Sequence, residues 1–457
     1  MRTLSDDTLV VFLSDSHIGG DAGRDIFETP DDLASLFDSF AAYGGPVELV
    51  LAGDFFDFLR IAEPPDGVDR ASLTIERPEY SALFDALRRL GRGESRTIIC
   101  LPGNHDAEIW SNHAIRAALE REGLVHEFAL SYAASFASEP GRIVYCEHGN
   151  QFDPANTIHD YADPLDTPLG SHIVTDVVPR IPTGRAVSAL HLREVDRVFP
   201  LTLIPEWLAG RLFYDVVAVS LRWLLLPLIA LYLAVELLAV AFGGDSGTDR
   251  LFVALAFNVP LLIVFFGLLL LVLRWTAART IRSATARFGS AAGEHGGAAD
   301  PAVVDIRARL EAAHAPPLGG ELSGTIAVFV SGHTHAPSLT GFDAANGSRG
   351  VLVNSGCWLR QLQPVAAHLG APHVFVGRFV QTHVRVYRDG EGVQVELWEH
   401  PRPAAERPPL VERIAIAGRR SRAPAEDRSP RVRARAVLER REVSVDARGC
   451  HRALADR

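Results

Sequence analysis

The chain of 457 residues contains no lysine, so its 45 basic side chains are all arginine. Acidic side chains number 56, and the resulting net charge of -11 argues against a protein that binds nucleic acid through bulk positive charge. The four cysteines include no C-x-x-C pair, and they are too few for a disulfide scaffold of this length, which fits a reducing compartment. The segment Met1–His17 lacks a basic stretch and its apolar run is short, which predicts no cleaved signal peptide.

Hydrophobic residues make up 47% of the chain and charged residues 22%, which predicts a folded protein of two or three domains. Two apolar runs are unusually long: Leu224–Phe242 contains a single charged residue, and Leu251–Leu273 contains none. As helices they would extend about 28 and 34 Å, against a bilayer core about 30 Å thick. Only the short polar segment Gly243–Arg250 separates them. This pattern predicts a transmembrane hairpin, and the alternative is a pair of buried core helices.

Arginine is concentrated outside this hairpin. Two arginines precede the first span and four follow the second (Arg211, Arg222, Arg274, Arg279, Arg282 and Arg287), whereas Gly243–Arg250 has one arginine and two aspartates. The positive-inside rule therefore predicts a multi-pass protein of the cell membrane with both outer flanks in the cytoplasm. The preceding stretch Pro205–Trp223 either lies along the membrane surface or extends the first span as one helix, and the sequence leaves both open.

Short apolar runs of strand length alternate with helical patterns on both sides of the hairpin, which predicts an α/β fold. The predicted strands are Leu9–Leu13, Val47–Leu51, Thr97–Leu101, Ile143–Cys146, Thr325–Val330, Gly350–Val353, Val374–Val380, Val384–Arg388 and Val393–Trp398. The predicted helices are Pro30–Ala42, Pro78–Leu90 and Asn112–Glu122. The predicted organisation is a domain in two parts (1–190 and 322–400), a membrane-associated insertion (191–282, with spans at about 224–242 and 251–273), a linker (283–321) and a disordered Arg/Pro-rich tail (401–457).

Five of these strands end in small groups of residues that can bind metal ions. The groups are Asp15-Ser16-His17, Gly53-Asp54, Gly103-Asn104-His105-Asp106, His148-Gly149-Asn150 and Gly332-His333-Thr334-His335. In an α/β sheet, ligands bind beyond the carboxyl ends of the strands, so the five groups can converge on one place. Carboxylate, amide and imidazole ligands suit Mn, Fe, Zn or Mg, and two such ions can activate water and hold a phosphoryl oxygen. The full set predicts a two-metal hydrolytic site.

These motifs resemble those of the calcineurin-like metallophosphoesterase superfamily, over roughly 8–150 and 322–400. The resemblance implies a four-layer β-sandwich of two mixed sheets flanked by helices, into which the transmembrane hairpin is inserted. It implies two divalent ions, with manganese the expected metal and iron, zinc or magnesium the alternatives. It further implies that His105 contacts the phosphoryl oxygen or protonates the leaving group, and that Asp106 orients His105. The implied ligands are Asp15, His17, Asp54 and His335 for one ion, and Asp54, Asn104, His148 and His333 for the other.

Within the superfamily, the segments FLSDSHIGG, LAGDFFDF and HGNQFDP resemble the branch around UDP-2,3-diacylglucosamine hydrolases. Members of that branch act on a lipid pyrophosphate at the membrane surface. His105 stands where that branch typically has arginine, so the resemblance points to a relative of the branch. Near the motifs, Asp57, Asn150, Gln151 and Asp153 either line the substrate cleft or support the metal ligands. The loop Asn156–His172 either caps the site or is an ordinary surface loop.

The predicted function is a membrane-anchored phosphoesterase that hydrolyses a phosphodiester, phosphomonoester or pyrophosphate bond with a metal-activated hydroxide. Because the hairpin lies between His148 and His333, the site is expected close to the membrane, which favours a lipid-linked substrate and contact with membrane lipid. Two alternatives remain: the same chemistry on a soluble nucleotide or phosphodiester, and a non-catalytic metal-binding scaffold in a membrane assembly. No nucleic-acid partner is expected, and the oligomeric state is open.

Overall fold

The structure is a computed structural model of the 457-residue chain. It describes residues 1–21, 23–62, 64–177, 192–200, 203–243, 249, 251–269, 272, 275, 301–320, 322–390, 392–402, 408–419, 429–439 and 443–446. The predicted end of the first domain part (178–190) and most of the predicted linker (283–300) lie outside these residues, as does the end of the second predicted span (273).

The described strands, numbered in chain order, form two mixed sheets. They are β1 (Arg2–Leu4), β2 (Leu9–Leu13), β3 (Val47–Ala52), β4 (Arg96–Leu101), β5 (Glu127–Phe128), β6 (Tyr132–Phe136), β7 (Arg142–Cys146), β8 (Thr325–Ser331), β9 (Ser338–Asp343), β10 (Arg349–Asn354), β11 (Trp358–Val365), β12 (Val374–Arg388), β13 (Val393–Glu399), β14 (Arg431–Leu438) and β15 (Val443–Asp446). The nine-stranded sheet has the order β15-β14-β13-β12-β2-β3-β4-β5, with β11 paired to β12. The six-stranded sheet has the order β1-β6-β7-β8-β10-β9.

The two sheets pack face to face, and helices cover their outer faces. The described helices are α1 (Pro30–Ala41), α2 (Arg70–Ile75), α3 (Ser81–Gly91), α4 (Glu108–Ser111), α5 (His113–Arg121), α6 (Leu169–His172), α7 (Ile204–Ser220), α8 (Leu226–Gly243), α9 (Leu251–Leu269), α10 (Pro301–Glu311) and α11 (Leu410–Ala415). One buried cluster joins apolar side chains of both sheets. A second fills the space between the larger sheet and α1, α3 and α5, and a third lies between the smaller sheet and α10. The predicted sandwich flanked by helices is confirmed.

The central strands form where the chain offers short runs that can be buried on both faces. All five residues of Leu9–Leu13 are buried between β12 and β3. Helix α1 begins with Pro30, which fits the first helical turn, and Asp31 and Asp32 follow at its positive end. All nine strands predicted from the sequence are present, although Val374–Val380 and Val384–Arg388 belong to a single strand, β12.

The first apolar run is part of one helix of 39 residues, Ile204–Phe242, in which a π-helical turn, Leu221–Leu225, joins α7 to α8. Of the two open possibilities for the stretch before the span, the structure shows the continuous helix. Ile204–Phe242 and Leu251–Leu269, called the apolar helix pair below, are long and apolar enough to cross a membrane. Only 11% of the most apolar part of each is buried, which disfavours the alternative of buried core helices.

Two predictions about the organisation are wrong for the described residues. Pro301–Glu311, placed in the linker, is helix α10, and its side chains Ala302, Ile306 and Leu310 are buried against the smaller sheet. The tail was expected to be disordered, yet Arg431–Leu438 pairs with β13 and extends the larger sheet. The reason is a two-residue alternation of arginine with apolar residues, which gives this strand one face for water and one for the core.

Candidate metal centre

The predicted metal ligands lie at the carboxyl ends of β2, β3, β4, β7 and β8, where the backbone turns sharply. Five of them have a left-handed backbone: Asp15 (φ 54°), His17 (φ 49°), Asp54 (φ 51°), His333 (φ 65°) and His335 (φ 55°). This conformation costs a non-glycine residue on the order of 1–3 kcal/mol. Backbone hydrogen bonds hold the turns together, for example from Asp15 N–H to the Gly53 carbonyl (3.1 Å) and from His17 N–H to the Asp54 carbonyl (2.9 Å). Strain at so many adjacent ligands is typical of a functional site.

One group of potential ligands consists of Asp15, His17 and His335, whose ligand atoms lie within 4.8 Å of one another. Nε2 of His335 is 3.2 Å from the Asp15 carboxylate and 3.2 Å from Nε2 of His17. Nδ1 of His17 faces the Asp57 carboxylate at 3.2 Å, which leaves Nε2 directed into the group. These are the residues predicted for one ion, and Asp54 lies beside them, 3.8 Å from His17 Nε2.

A second group consists of Asp54, His148 and His333, again within 4.8 Å of one another. The Nδ1 atom of His148 bonds to the Ala52 carbonyl at 2.9 Å, and Nε2 points at the Asp54 carboxylate, 3.2 Å away. Nδ1 of His333 is 3.1 Å from the Asn104 side-chain oxygen. The structure thus brings together the four residues predicted for the other ion, with Asp54 next to both groups.

His105 lies at the edge of the cluster, but the carboxylate that orients it is not the predicted one. Nδ1 of His105 is 2.9 Å from the Asp57 carboxylate, which also contacts His17 and accepts a hydrogen bond from Arg60 Nε at 2.8 Å. The prediction that Asp106 orients His105 is therefore wrong. The signal in the sequence is Asp57, three residues after Asp54, at a position that by sequence alone is only a neighbour of the motifs.

Asp106 instead organises the turns that carry the ligands. Its carboxylate accepts backbone hydrogen bonds from Gly103 (2.7 Å), Phe55 (2.9 Å), Asp54 (3.2 Å) and Phe56 (3.2 Å). Burial and the nearby Asp54 charge raise the pKa of Asp106 to about 7. The carboxylate thus ties the end of β3 to the end of β4 and does not reach the reacting groups.

The electrostatics of the site favour positive charge. Burial lowers the pKa of His148, but the Asp54 and Asp15 carboxylates outweigh burial and raise this pKa to about 10. Burial likewise lowers the pKa of His105, yet the charges of Asp57 and Asp54 hold it above its usual value. The same buried carboxylates that stabilise imidazolium would stabilise a bound cation.

The donor set fits divalent metal ions. Nε2 of His148 is buried and has no hydrogen-bond partner among the described residues, although it points at Asp54. A buried ring nitrogen directed at a carboxylate, with the other ring nitrogen held by a backbone carbonyl, is the usual arrangement of a histidine ligand. Oxygen and imidazole donors suit Mn, Fe, Zn or Mg, as the sequence indicated.

The accessible side of the centre is formed by His335, His333 and His105, whose side chains are 26%, 10% and 15% exposed. Asp153 lies beside them, with a carboxylate oxygen 3.1 Å from His333 Nε2. The loop that begins at Asn156 also reaches the centre, because the Asn156 side chain lies 3.5 Å from that of Asn104. Substrate can therefore approach from this side, next to His105.

A family model described as calcineurin-like phosphoesterase matches residues 8–186. The matched segment includes four of the five ligand-bearing strand ends, from Asp15 to His148, and it stops before His333 and His335. No curated protein matches the chain. The chain therefore contains a calcineurin-like phosphoesterase domain, and two residues of the candidate metal centre, His333 and His335, come from the part that follows the apolar helix pair.

Proposed function

We propose that this calcineurin-like phosphoesterase domain hydrolyses phosphoester bonds with two bound divalent ions, and that the apolar helix pair anchors it in the cell membrane with the domain in the cytoplasm. The observation that carries the proposal is the position of Asp54 between two groups of ligands, Asp15–His17–His335 on one side and His148–His333 on the other. A carboxylate in that position can serve two cations at once. Manganese, the metal implied by the family resemblance, is the first to test, and iron, zinc and magnesium suit the same oxygen and imidazole donors.

Bound divalent ions would lower the pKa of water to give a hydroxide nucleophile and would neutralise charge on the phosphoryl group. The chain itself holds His105 in place, because its Nδ1 faces Asp57 at 2.9 Å. The opposite ring nitrogen is then free to donate a hydrogen bond to a phosphoryl oxygen or a proton to the departing oxygen. Asp106 keeps the turns around Asp54 and Gly103 in register through backbone N–H groups.

The scaffold alternative is disfavoured by the pair formed by His105 and Asp57. A domain that only binds metal needs no histidine at the accessible edge of the centre with its ring fixed by a buried carboxylate. Hydrolysis of a monoester, diester or pyrophosphate fits this arrangement equally well. The relation to UDP-2,3-diacylglucosamine hydrolases stays a prediction, based on segments such as HGNQFDP.

The test of the proposed function is hydrolysis of bis-p-nitrophenyl phosphate and p-nitrophenyl phosphate by detergent-purified full-length protein. We expect Mn²⁺-dependent release of p-nitrophenol that stops in EDTA and returns when Mn²⁺ is added back. Metal analysis of the same sample should approach two ions per chain. Two bound ions without turnover of either ester would contradict the enzyme and support the scaffold.

The role of Asp57 gives a prediction with its own readout. We expect Asp57→Asn to lower kcat on an alkyl phosphodiester by about 10–100-fold, and to lower kcat on a p-nitrophenyl ester much less, because p-nitrophenolate departs without a proton. The substitution His105→Gln should show the same dependence on the leaving group. Equal losses on both esters would show that Asp57 acts only through His17 and the metals.

A further inference from the structure

Strands β11 and β12 extend beyond the carboxyl end of β2, where the metal centre lies. Val384 of β12 pairs with Phe12 of β2 in antiparallel register, so Gln381 lies level with Asp15. From there, β12 continues back to Val374, past the end of β2, and β11 pairs with it along the whole length. Residues 358–381, called the β11–β12 arm, therefore start at the metal centre and extend away on the side of the strand carboxyl ends.

The base of the arm is fixed to the centre by short contacts. The Trp358 N–H donates to the Asp15 carbonyl at 3.1 Å, and the indole N–H donates to the Thr382 carbonyl at 2.8 Å. The Gln361 amide donates to the His335 carbonyl at 2.9 Å. Both Trp358 and Gln361 are buried, so the arm cannot swing freely relative to the ligands.

The outer half of the arm carries the first helix of the apolar pair. Trp207, which is fully buried, packs with Leu362 and Phe375 in the middle of the arm. Closer to the tip, the Tyr214 hydroxyl donates to the Pro372 carbonyl at 2.6 Å. The helix therefore runs along the arm towards its tip and continues past it into the apolar segment.

Ion pairs reinforce this attachment. Arg211 of the helix contacts Glu194 and Glu412, each at 3.3 Å, and Glu194 contacts Arg360 of the arm at 3.1 Å. Arg360 also contacts Glu28 at 3.2 Å. Arg211, counted above as a cytoplasmic flanking charge, thus binds to the phosphoesterase domain. A half-buried network of this kind ties helix, arm and domain into one unit.

We infer that the β11–β12 arm holds the metal centre well away from the bilayer, so that the enzyme acts on water-soluble phosphoesters and not on phospholipid phosphates within the membrane. The inference rests on the proposed function, both the hydrolysis and the membrane anchor. The expectation of a site close to the membrane came from the chain order alone. The β11–β12 arm lies between the metal centre and the apolar helices, so it increases the distance from the centre to the membrane.

The distance from the metal centre to the membrane boundary follows from the lengths of the arm and of the helix beyond it. The eight residues of β11 extend about 23 Å at roughly 3.3 Å per residue. Helix residues 214–222 add about 12 Å, and inclination of either element to the membrane normal reduces the sum to roughly 20–35 Å. The membrane boundary is placed at Trp223, which is 69% exposed and lies next to Arg222, since tryptophan and arginine favour the interface.

The head-group layer on each side of a bilayer is only about 5–8 Å thick. A phosphate in that layer therefore stays roughly 12 Å or more short of the centre, even at the lower limit of the separation. The centre opens instead into the aqueous space beside the arm, where soluble nucleotides or other phosphodiesters can diffuse to His105. The membrane anchor then determines only where the enzyme is located.

Three esters with the same leaving group test this inference in protein reconstituted into phosphatidylcholine vesicles with Mn²⁺. They are bis-p-nitrophenyl phosphate, the p-nitrophenyl ester of dibutyryl phosphatidic acid, which is water-soluble, and the p-nitrophenyl ester of dioleoyl phosphatidic acid, which stays in the bilayer. We expect the two soluble esters to be hydrolysed within about tenfold of each other, and the bilayer ester at least a hundredfold more slowly.

Turnover of the dioleoyl ester equal to or faster than that of the dibutyryl ester would overturn the inference and support a lipid-linked substrate. Failure to hydrolyse any of the three would instead count against the proposed function. A matched pair tests the part played by the arm. Arg211→Gln should loosen the helix from the domain and raise hydrolysis of the bilayer ester. Arg222→Gln, a matched change outside the network of Arg211, Glu194, Glu412 and Arg360, should leave it low. No increase with Arg211→Gln would contradict the role given to the ion pairs in holding the helix along the arm.

Discussion

Replacement of Asp54 by asparagine is expected to reduce metal-dependent hydrolysis by at least about a hundredfold, since even residues that only support metal ligands contribute about 10–100-fold. Asp54 is 1% exposed and lies 3.2 Å from His148 Nε2 and 3.8 Å from His17 Nε2. The amide that replaces it carries no negative charge, so it cannot compensate the charge of two cations. Because Asp54 contacts both ligand groups, one substitution should affect both ions.

The asparagine variant should still fold. The Asp54 carboxylate accepts a hydrogen bond from the backbone N–H of His105 at 2.7 Å, and an asparagine side-chain oxygen can accept the same bond. The measurements are kcat/KM for bis-p-nitrophenyl phosphate, bound manganese per chain, and the Tm in EDTA. The matched control is Asp66→Asn, the same chemical change at an exposed position. Wild-type activity in the Asp54 variant, or an equal loss in both variants, would contradict a two-metal centre built on Asp54.

A single methyl group added at Gly53 is expected to lower manganese affinity by about 10–100-fold, comparable to the loss of a residue that orients a metal ligand. Gly53 has φ +84°, and a Cβ atom there would lie 2.4 Å from Nδ1 of His148. The imidazole would have to move, which breaks its 2.9 Å bond to the Ala52 carbonyl. That bond fixes which ring nitrogen of His148 faces Asp54.

Gly67 provides a matched control for the backbone effect. Its φ of +82° is nearly the same, but a Cβ atom there would meet nothing within 4 Å. Gly53→Ala and Gly67→Ala should therefore share the backbone cost of about 1–2 kcal/mol. Manganese binding, followed by calorimetry, should fall only with Gly53→Ala. Equal behaviour of the two variants would show that His148 tolerates displacement and is not held for metal binding.

The sandwich could be predicted from short apolar runs because strands buried on both faces leave a strong hydropathy signal. Leu9–Leu13 and Val47–Ala52 are examples, and both were located to within one residue. Strands with weaker signals were missed. β11 (Trp358–Val365) contains arginine and glutamine, and it is stabilised by pairing with β12, a partner that the sequence did not identify.

The tail shows a different kind of error. Arg431–Leu438 has many charged residues, and overall composition predicted disorder. Its buried residues, Ala434, Ala436 and Leu438, nevertheless alternate with exposed or half-buried ones, which is the pattern of a strand on the side of a sheet. The alternation is visible in the sequence, but the segment forms a strand only because the edge of β13 is available to pair with it.

The sequence by itself determined which side chains can bind metal and where they lie along the strands, because ligand chemistry belongs to residue type and strand ends are marked by apolar runs. The two long apolar runs in the sequence also determined that the chain has a pair of helices long and apolar enough to cross a membrane. Only the tertiary structure decided that Asp57 and not Asp106 faces His105, since Asp57 lies 48 positions away in the chain and reaches His105 only because the turns after β3 and β4 pack together. It likewise decided how far the metal centre lies from the apolar helices. That distance depends on the pairing of β11 with β12 and on the helix packed against them, contacts between segments that are far apart in the chain.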